Sequence, residues 1–246
     1  MDIDSVKAYD LSDRVRMYDS DMDIMHPLRW KMIEIALEII PFHQTQSLMA
    51  LDLGIGTGIF SKQFLEKYQN SKIVAIDGAA SMLENAKSRL GRLSHRVEWI
   101  LSEFQTIPNT VTRPEMFDVV ISSYALHHLN AQEKLSVLKS VVQAIKPAGW
   151  FLNADIVVAD VPDVEQRIQE IRVNSVTERA PLKDKRFRNN VKTGQFLNDL
   201  EANEPDKPLT LNKDIQIIRE AGITNAEVFW KEYREVVIGG FRTIIS

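Results

Sequence analysis

The stretch LDLGIGTGIF, residues 51–60, decides the fold. An aspartate lies between two leucines, and three glycines follow at alternate positions. Residues 48–53 (LMALDL) read as a buried strand, and 58–68 as a helix with Ile59, Phe60, Phe64 and Leu65 turned inward. In a parallel sheet, the first strand–loop–helix is the usual ligand site. Gly54, Gly56 and Gly58 remove side chains where main chain must approach a ligand closely. The spacing is G-x-G-x-G, and Ile59 stands where a dinucleotide loop has its third glycine.

The rhythm continues on both sides. Pro27 suits a helix start, Leu28, Met32, Ile35, Ala36 and Ile39 follow at helical spacing, and Pro41 ends the run. KIVAID (72–77) is a second strand. Ser81 and Glu84 predict a capping box for a helix that buries Met82, Leu83, Ala86 and Leu90. VEWIL (97–101) and FDVVIS (117–122) are further strands. Asn130 and Glu133 cap a helix through Ile145, and KPAG turns the chain into a fifth strand, WFLNADIVV. Strands alternating with helices over short connections imply a parallel sheet covered on both faces. Residues 160–210 break the pattern: a helix fits 163–176, but 179–208 is polar and irregular, with three prolines. DIQIIREAG then predicts a helix ended by Gly222, and residues 225–241 two closing strands. The expected organisation is one domain over 1–246. Residues 1–41 form an N-terminal arm and helix, loose over 1–23, and 160–210 form a lid or an elaborated connection.

Composition bounds the function. Hydrophobic residues make up 44% of 246, enough for a sizeable core. With no cysteine, disulfides and thiolate metal sites are excluded. The N-terminus lacks an apolar signal region, and no apolar run approaches membrane-spanning length, so a soluble cytoplasmic protein with no membrane partner is expected. The net charge of −4 does not favour nucleic acid, although a local basic patch leaves it open.

Two carboxylates narrow the ligand. Asp77 ends the second strand, where it can accept both hydroxyls of a ribose. Asp52 precedes the glycines, where a pyrophosphate would be repelled and an ammonium or sulfonium favoured. A ribose, an amino acid and a sulfonium together describe S-adenosylmethionine. LDLGIGTGIF, VAIDGAASML, LSEF, FDVVISSYALHHL and IKPAGWFLNADIV resemble, in order and spacing, the motifs of the class I S-adenosylmethionine-dependent methyltransferases. The resemblance spans residues 48–156, and the closing strands also fit. It implies a Rossmann-like α/β fold: a seven-stranded, mostly parallel sheet with its last strand antiparallel and helices on both faces. It also implies S-adenosyl-L-methionine as cofactor. Asp52 and the Gly54, Gly56, Gly58 loop would face the methionine part, and Asp77 the ribose. Met82 would pack on the adenine, with Glu103 and Phe104 beside it and Ser122 or Ser123 as floor. Tyr18, with Asp19 and MHPLRW, resembles the segment that folds over the cofactor. Two departures stand out: Ser102-Glu103 replaces the usual Gly-Asp, and Pro147-Ala148-Gly149 the usual Pro-Gly-Gly.

For the acceptor, His127 and His128 follow the fourth strand, and Asp155 lies late in the fifth. His127 as general base with Asp155 as its orienter is the expected catalytic pair, where the acceptor must lose a proton. Adjacent histidine side chains are expected to diverge, so no metal site is expected. Residues 172–192 carry seven bases and two acids, a solvated face or a hold for an anionic substrate. The expected function is methyl transfer to an O or N atom of a small molecule, with a homodimer compatible. The alternatives are a tRNA wobble-uridine-modifying enzyme, whose relative of comparable core uses a carboxylated cofactor, and a catalytically silent cofactor-binding partner.

Overall fold

The computed structural model describes residues 12–203 and 206–243, and for residues 12–16 the backbone alone. The elements run α1 (Ser12–Met25), α2 (Arg29–Ile39), β1 (Met49–Leu53), α3 (Ile59–Lys67), β2 (Lys72–Asp77), α4 (Ala80–Leu90), β3 (Val97–Leu101), β4 (Phe117–Ser123), α5 (Ala131–Ala144), β5 (Ile145–Ile156), α6 (Pro162–Arg179), α7 (Asn190–Asn203), α8 (Leu211–Glu220), β6 (Glu227–Glu232) and β7 (Glu235–Phe241). Seven strands form one sheet in the order β3-β2-β1-β4-β5-β7-β6. β1 to β5 are mutually parallel, and β7 is antiparallel to both of its neighbours. Among the described residues, no helix is long and apolar enough to cross a membrane.

Alternation along β1 shows how the sheet is covered. Leu51 and Leu53 point to one face, where they meet Val137, Leu138 and Val141 of α5 and Ile217 and Ile218 of α8. Ala50 points to the other, against Met32 and Ala36 of α2, Phe64 and Leu65 of α3 and Ala86 of α4. Asp52 shares that second face by the same period of two. Helix α5 carries the expected capping box: Asn130 accepts from the Gln132 and Glu133 amides, and Glu133 accepts from the Asn130 amide at 2.8 Å. Ala148 takes φ 62° in the turn where Pro-Gly-Gly is usual. A left-handed conformation costs an L-residue about 1 kcal/mol, so Ala148 is tolerated there.

Three expectations need correction. Residues 12–23 are helical rather than loose, and residues 1–11 lie outside the described part. Ser81 makes no capping box, because α4 begins two residues earlier than a Ser81 cap requires, behind Ala79, and Ser81 falls inside its first turn. Residues 190–203 form a helix although their sequence is polar. Helices α6 and α7 pack on α1 through a small separate core of Met25, Val176, Phe187 and Leu197. Arg186 fastens the same joint by donating to both oxygens of Asp21, at 2.9 and 2.8 Å.

Between α5 and α8, Lys134 donates to Asp214 at 2.6 Å with both side chains almost wholly buried. Removing one partner strands the other charge in the interior. Lys134→Met should therefore destabilise the protein by about 3–5 kcal/mol in urea unfolding. The double variant Lys134→Met, Asp214→Leu should recover most of that loss.

Candidate functional site

The strand order reverses between β1 and β4, and the loops after those strands part there to leave a crevice. Gly54 is forced by this closeness: a Cβ on it would lie 2.4 Å from the Ala125 Cβ. Gly58 has a different task, since its Cβ would collide with Leu90 and Ala86 as α3 packs on α4. Gly58 thus supports the loop from behind and does not line the cleft.

Asp77 shapes the loop. One of its oxygens accepts from the Gly56 amide at 2.8 Å, the other from the Ala79 amide at 2.9 Å. Gly54 and Ile55 add amide bonds to the Ile76 carbonyl at 2.9 and 3.0 Å. The cleft beside Asp77 encloses about 900 Å3 counted out to its open mouth. Met82, Glu103 and Phe104 line it, together with Ser123 and Tyr18. Ser122 does not reach it: its hydroxyl lies beneath the loop and donates to the Leu53 carbonyl at 2.8 Å.

Past Gly54 and Gly56 the cleft continues to Asp52, Arg29 and Thr57. Asp52 is 1% exposed and accepts from the Ser61 hydroxyl at 2.6 Å. Burial pushes its carboxyl up to about 7, against the pull of the Ser61 bond and with a smaller push from Asp77. Arg29 is also buried, at 5% exposed. It donates to Asp19 at 3.2 Å and to Asp23 at 2.8 Å, while its Nε has no hydrogen-bond partner. Asp19 also accepts from the Thr57 hydroxyl at 2.9 Å and pairs with Arg89. One carboxylate of α1 thereby ties the arm to the glycine loop and to α4. The sequence marked Asp19 and the MHPLRW stretch only as a resemblance; nothing in their spacing shows these partners.

Tyr18 and Tyr124 form the partition to a second, inner pocket. Tyr124, at φ 48°, donates from its hydroxyl to Glu235, the first residue of β7, at 2.8 Å. His26 meets the same Glu235 oxygen at 2.9 Å. On the other wall stand His127 and Asp206. His127 Nδ1 meets Asp155 at 2.6 Å, so the structure joins the two residues that sequence had paired. Asp155 is fully buried and also accepts from its neighbour's amide, Ile156, at 2.9 Å. Asp206 comes from the segment before α8 and lies 3.5 Å from His127 Nε2 and 3.0 Å from His128 Nδ1. The two imidazoles do not diverge, contrary to expectation; their centroids are 4.2 Å apart. Burial opposes charge on His127, but Asp155 and Asp206 outweigh it and hold the ring up to about 10. Asp206 had no signal in the sequence, because its place depends on how the chain returns from α7.

Sheet order, glycine crevice and paired carboxylates define a Rossmann-like cofactor cleft with an adjoining pocket. Residues 50–149 match the family described as methyltransferase domain. An uncharacterized methyltransferase of Geobacillus kaustophilus is 32% identical over 124 residues, 50% of this chain and 54% of that one. The chain thus spans about half the length of that curated relative. A carboxy-S-adenosyl-L-methionine synthase of Nautilia profundicola is 18% identical over 92% of this chain and 91% of its own. Among solved structures, an O-methyltransferase family protein of Burkholderia thailandensis superposes with a TM-score of 0.67 at 16% identity, covering 99% of this chain and 64% of that one. Residues 50–149 thus carry a methyltransferase domain, and the chain as a whole has the fold of the solved methyltransferases it superposes on.

Asp52 gives the apo protein a pH signature. Its folded pKa, about 7, lies above its ordinary value of 3.8, so the folded state keeps a proton that the unfolded chain loses. Stability should fall as pH rises between those values, by up to about 1.4 kcal/mol per unit, and level off above 7. Unfolding free energies of wild type and Asp52→Asn across that window test this; the variant should lack this component of the slope.

Proposed function

We propose that the protein binds S-adenosylmethionine in the cleft and transfers its methyl group to an oxygen or nitrogen of a small molecule held in the inner pocket. The observation that carries this reading is that the two spaces adjoin, with Tyr18 and Tyr124 lining both. The carboxylates fit the cofactor's parts. Asp77 oxygens, already fixed by two amides, keep lone pairs for ribose hydroxyls. Asp52 suits an ammonium, and the buried Nε of Arg29, which lacks a partner, suits the amino acid's carboxylate. Met82 and Phe104 offer apolar surface to the adenine, with Glu103 and Ser123 at the rim.

The bound cofactor supplies a methyl group already activated by its sulfonium. The chain's own task is alignment in a site closed to water. Tyr18 covers the cofactor from α1, and α6 with α7 forms a lid on the acceptor side. His127 and Asp155 are the catalytic pair: Nδ1 is committed to Asp155, and Nε2, protonated in the free protein, must shed that proton before it can take one from the acceptor.

A second reading has one observation behind it, the similarity over nearly the whole chain to a carboxy-S-adenosyl-L-methionine synthase. In that reading the cofactor itself is the molecule changed. Mass spectrometry of the nucleoside products separates the two. S-adenosylhomocysteine formed with an acceptor supports methyl transfer, a carboxylated cofactor supports the second reading, and neither product supports a silent binding role.

Asp77→Ala should weaken S-adenosylhomocysteine binding in calorimetry by about tenfold to a hundredfold, the worth of a charged hydrogen bond. Wild type should show no binding of NAD. With an acceptor found by screening, His127→Ala should slow turnover by about 10²–10⁴ and leave cofactor affinity nearly unchanged. A loss below tenfold would remove His127 from the chemistry.

A further inference from the structure

We propose that His127, His128 and Asp206 form a binding site for one divalent transition-metal ion of the zinc type, set in the wall between the cofactor cleft and the inner pocket. Three donor atoms carry the inference: His127 Nε2, His128 Nδ1 and one Asp206 oxygen, all within 4.8 Å of one another. The Asp206 oxygen lies 3.5 Å from the first nitrogen and 3.0 Å from the second. Two ligands bonded at about 2.0–2.1 Å to one tetrahedral ion stand about 3.3 Å apart, so these separations already match an edge of such a site. Two imidazoles and one carboxylate make a donor set of intermediate softness, which suits zinc and its neighbours and not calcium or magnesium.

Two further observations point the same way. Asp206 Oδ1 is buried between the rings and makes no well-formed hydrogen bond. Its polar neighbours are the two imidazole nitrogens at 3.5 and 3.0 Å, which a shared ion would bridge to it. His127 also has the outer partner that metal-bound histidines require: Asp155 holds Nδ1 at 2.6 Å, which fixes the ring and turns Nε2 towards the cluster. Three protein ligands leave a fourth position open, as catalytic rather than structural sites do. His128 borders the cofactor cleft, while His127 and Asp206 border the inner pocket. The open position therefore faces the place where an acceptor would approach the methyl group.

Metal binding itself stands apart from the methyl-transfer reading. Its use in catalysis rests on that reading, and gives His127 a ligand's part in place of a base's in the loaded protein. An ion there would bind an oxygen or nitrogen of the acceptor and favour loss of its proton. The substrate class follows as molecules with a hydroxyl or similar donor able to enter a metal's fourth position.

The test uses untagged, chelator-treated full-length protein. Zn2+ is titrated by calorimetry and Co2+ by visible absorption, with S-adenosylhomocysteine binding measured separately. The expected result is one equivalent of each metal and a four-coordinate cobalt spectrum. Asp206→Asn and His128→Gln should each weaken binding at least tenfold, and Asp155→Asn by about 10–100-fold through the lost support. The exposed His95→Gln should change nothing. Thermal unfolding checks that each variant is folded; if one is not, the wild-type cobalt spectrum and the remaining variants decide. Absence of stoichiometric binding, or binding unaffected in both Asp206→Asn and His128→Gln, overturns the site. Metal binding without S-adenosylhomocysteine binding would sink the methyl-transfer reading and leave the metal site standing.

Discussion

The reversal of strand order between β1 and β4 is the constraint on which the rest depends. Chain leaving β1 turns one way and chain leaving β4 the other, so a crevice opens without any cavity being carved from the core. The crevice is usable only if the two loops pass each other closely. Gly54 permits that, because any side chain would strike Ala125. Asp77 then holds the loop by its Gly56 amide and the next turn by its Ala79 amide. A carboxylate fixed in this way is rigid before any ligand arrives, so less ordering remains to be done on binding.

The sheet was legible because its evidence is local. Buried strands are short apolar runs, and their helices repeat every three to four residues. The glycine loop and Asp77 were legible because backbone geometry and ribose chemistry restrict which residues can stand there. What escaped was long-range and polar. Asp19 meets Thr57 across 38 positions and Arg89 across 70. Asp206 reaches His127 from a segment that sequence could only describe as irregular. Helix α7 escaped because it buries little of itself, chiefly Thr193 and Leu197. Such a helix forms through its contacts with α6 and α1, and propensity alone does not reveal it. Ser81 misled for the opposite reason: the local signal was present, but Asp77 and Ala79 set the helix start two residues earlier than a Ser81 cap requires.

The cover over the cleft is held largely by charge. Asp19 joins α1 to the glycine loop, and Asp21 joins it to Arg186. The basic stretch at 172–192 is accordingly only partly available to a ligand. Arg186 is shared between Asp21 and Asp184, and Arg172 is paired with Glu201. Partly exposed pairs of this kind are individually weak and screened by salt. A cover built from them can loosen without unfolding the sheet, whose own contacts are apolar.

Beneath the acceptor side the charges alternate in sign: Asp206, His127 and Asp155, with Lys134 and Asp214 behind them. Lys134 acts on Asp155, and His127 acts on Asp214, so the two buried pairs share one field. Well-packed apolar residues could fill the same volume with no loss of stability, since buried ion pairs barely offset their desolvation. What apolar residues could not do is fix the orientation of an imidazole. Asp155 has Nδ1 of that ring bound at 2.6 Å, and the ring's other nitrogen points towards Asp206 and the inner pocket. The buried charges are therefore the means by which a rigid sheet aims one nitrogen atom at Asp206 and the inner pocket.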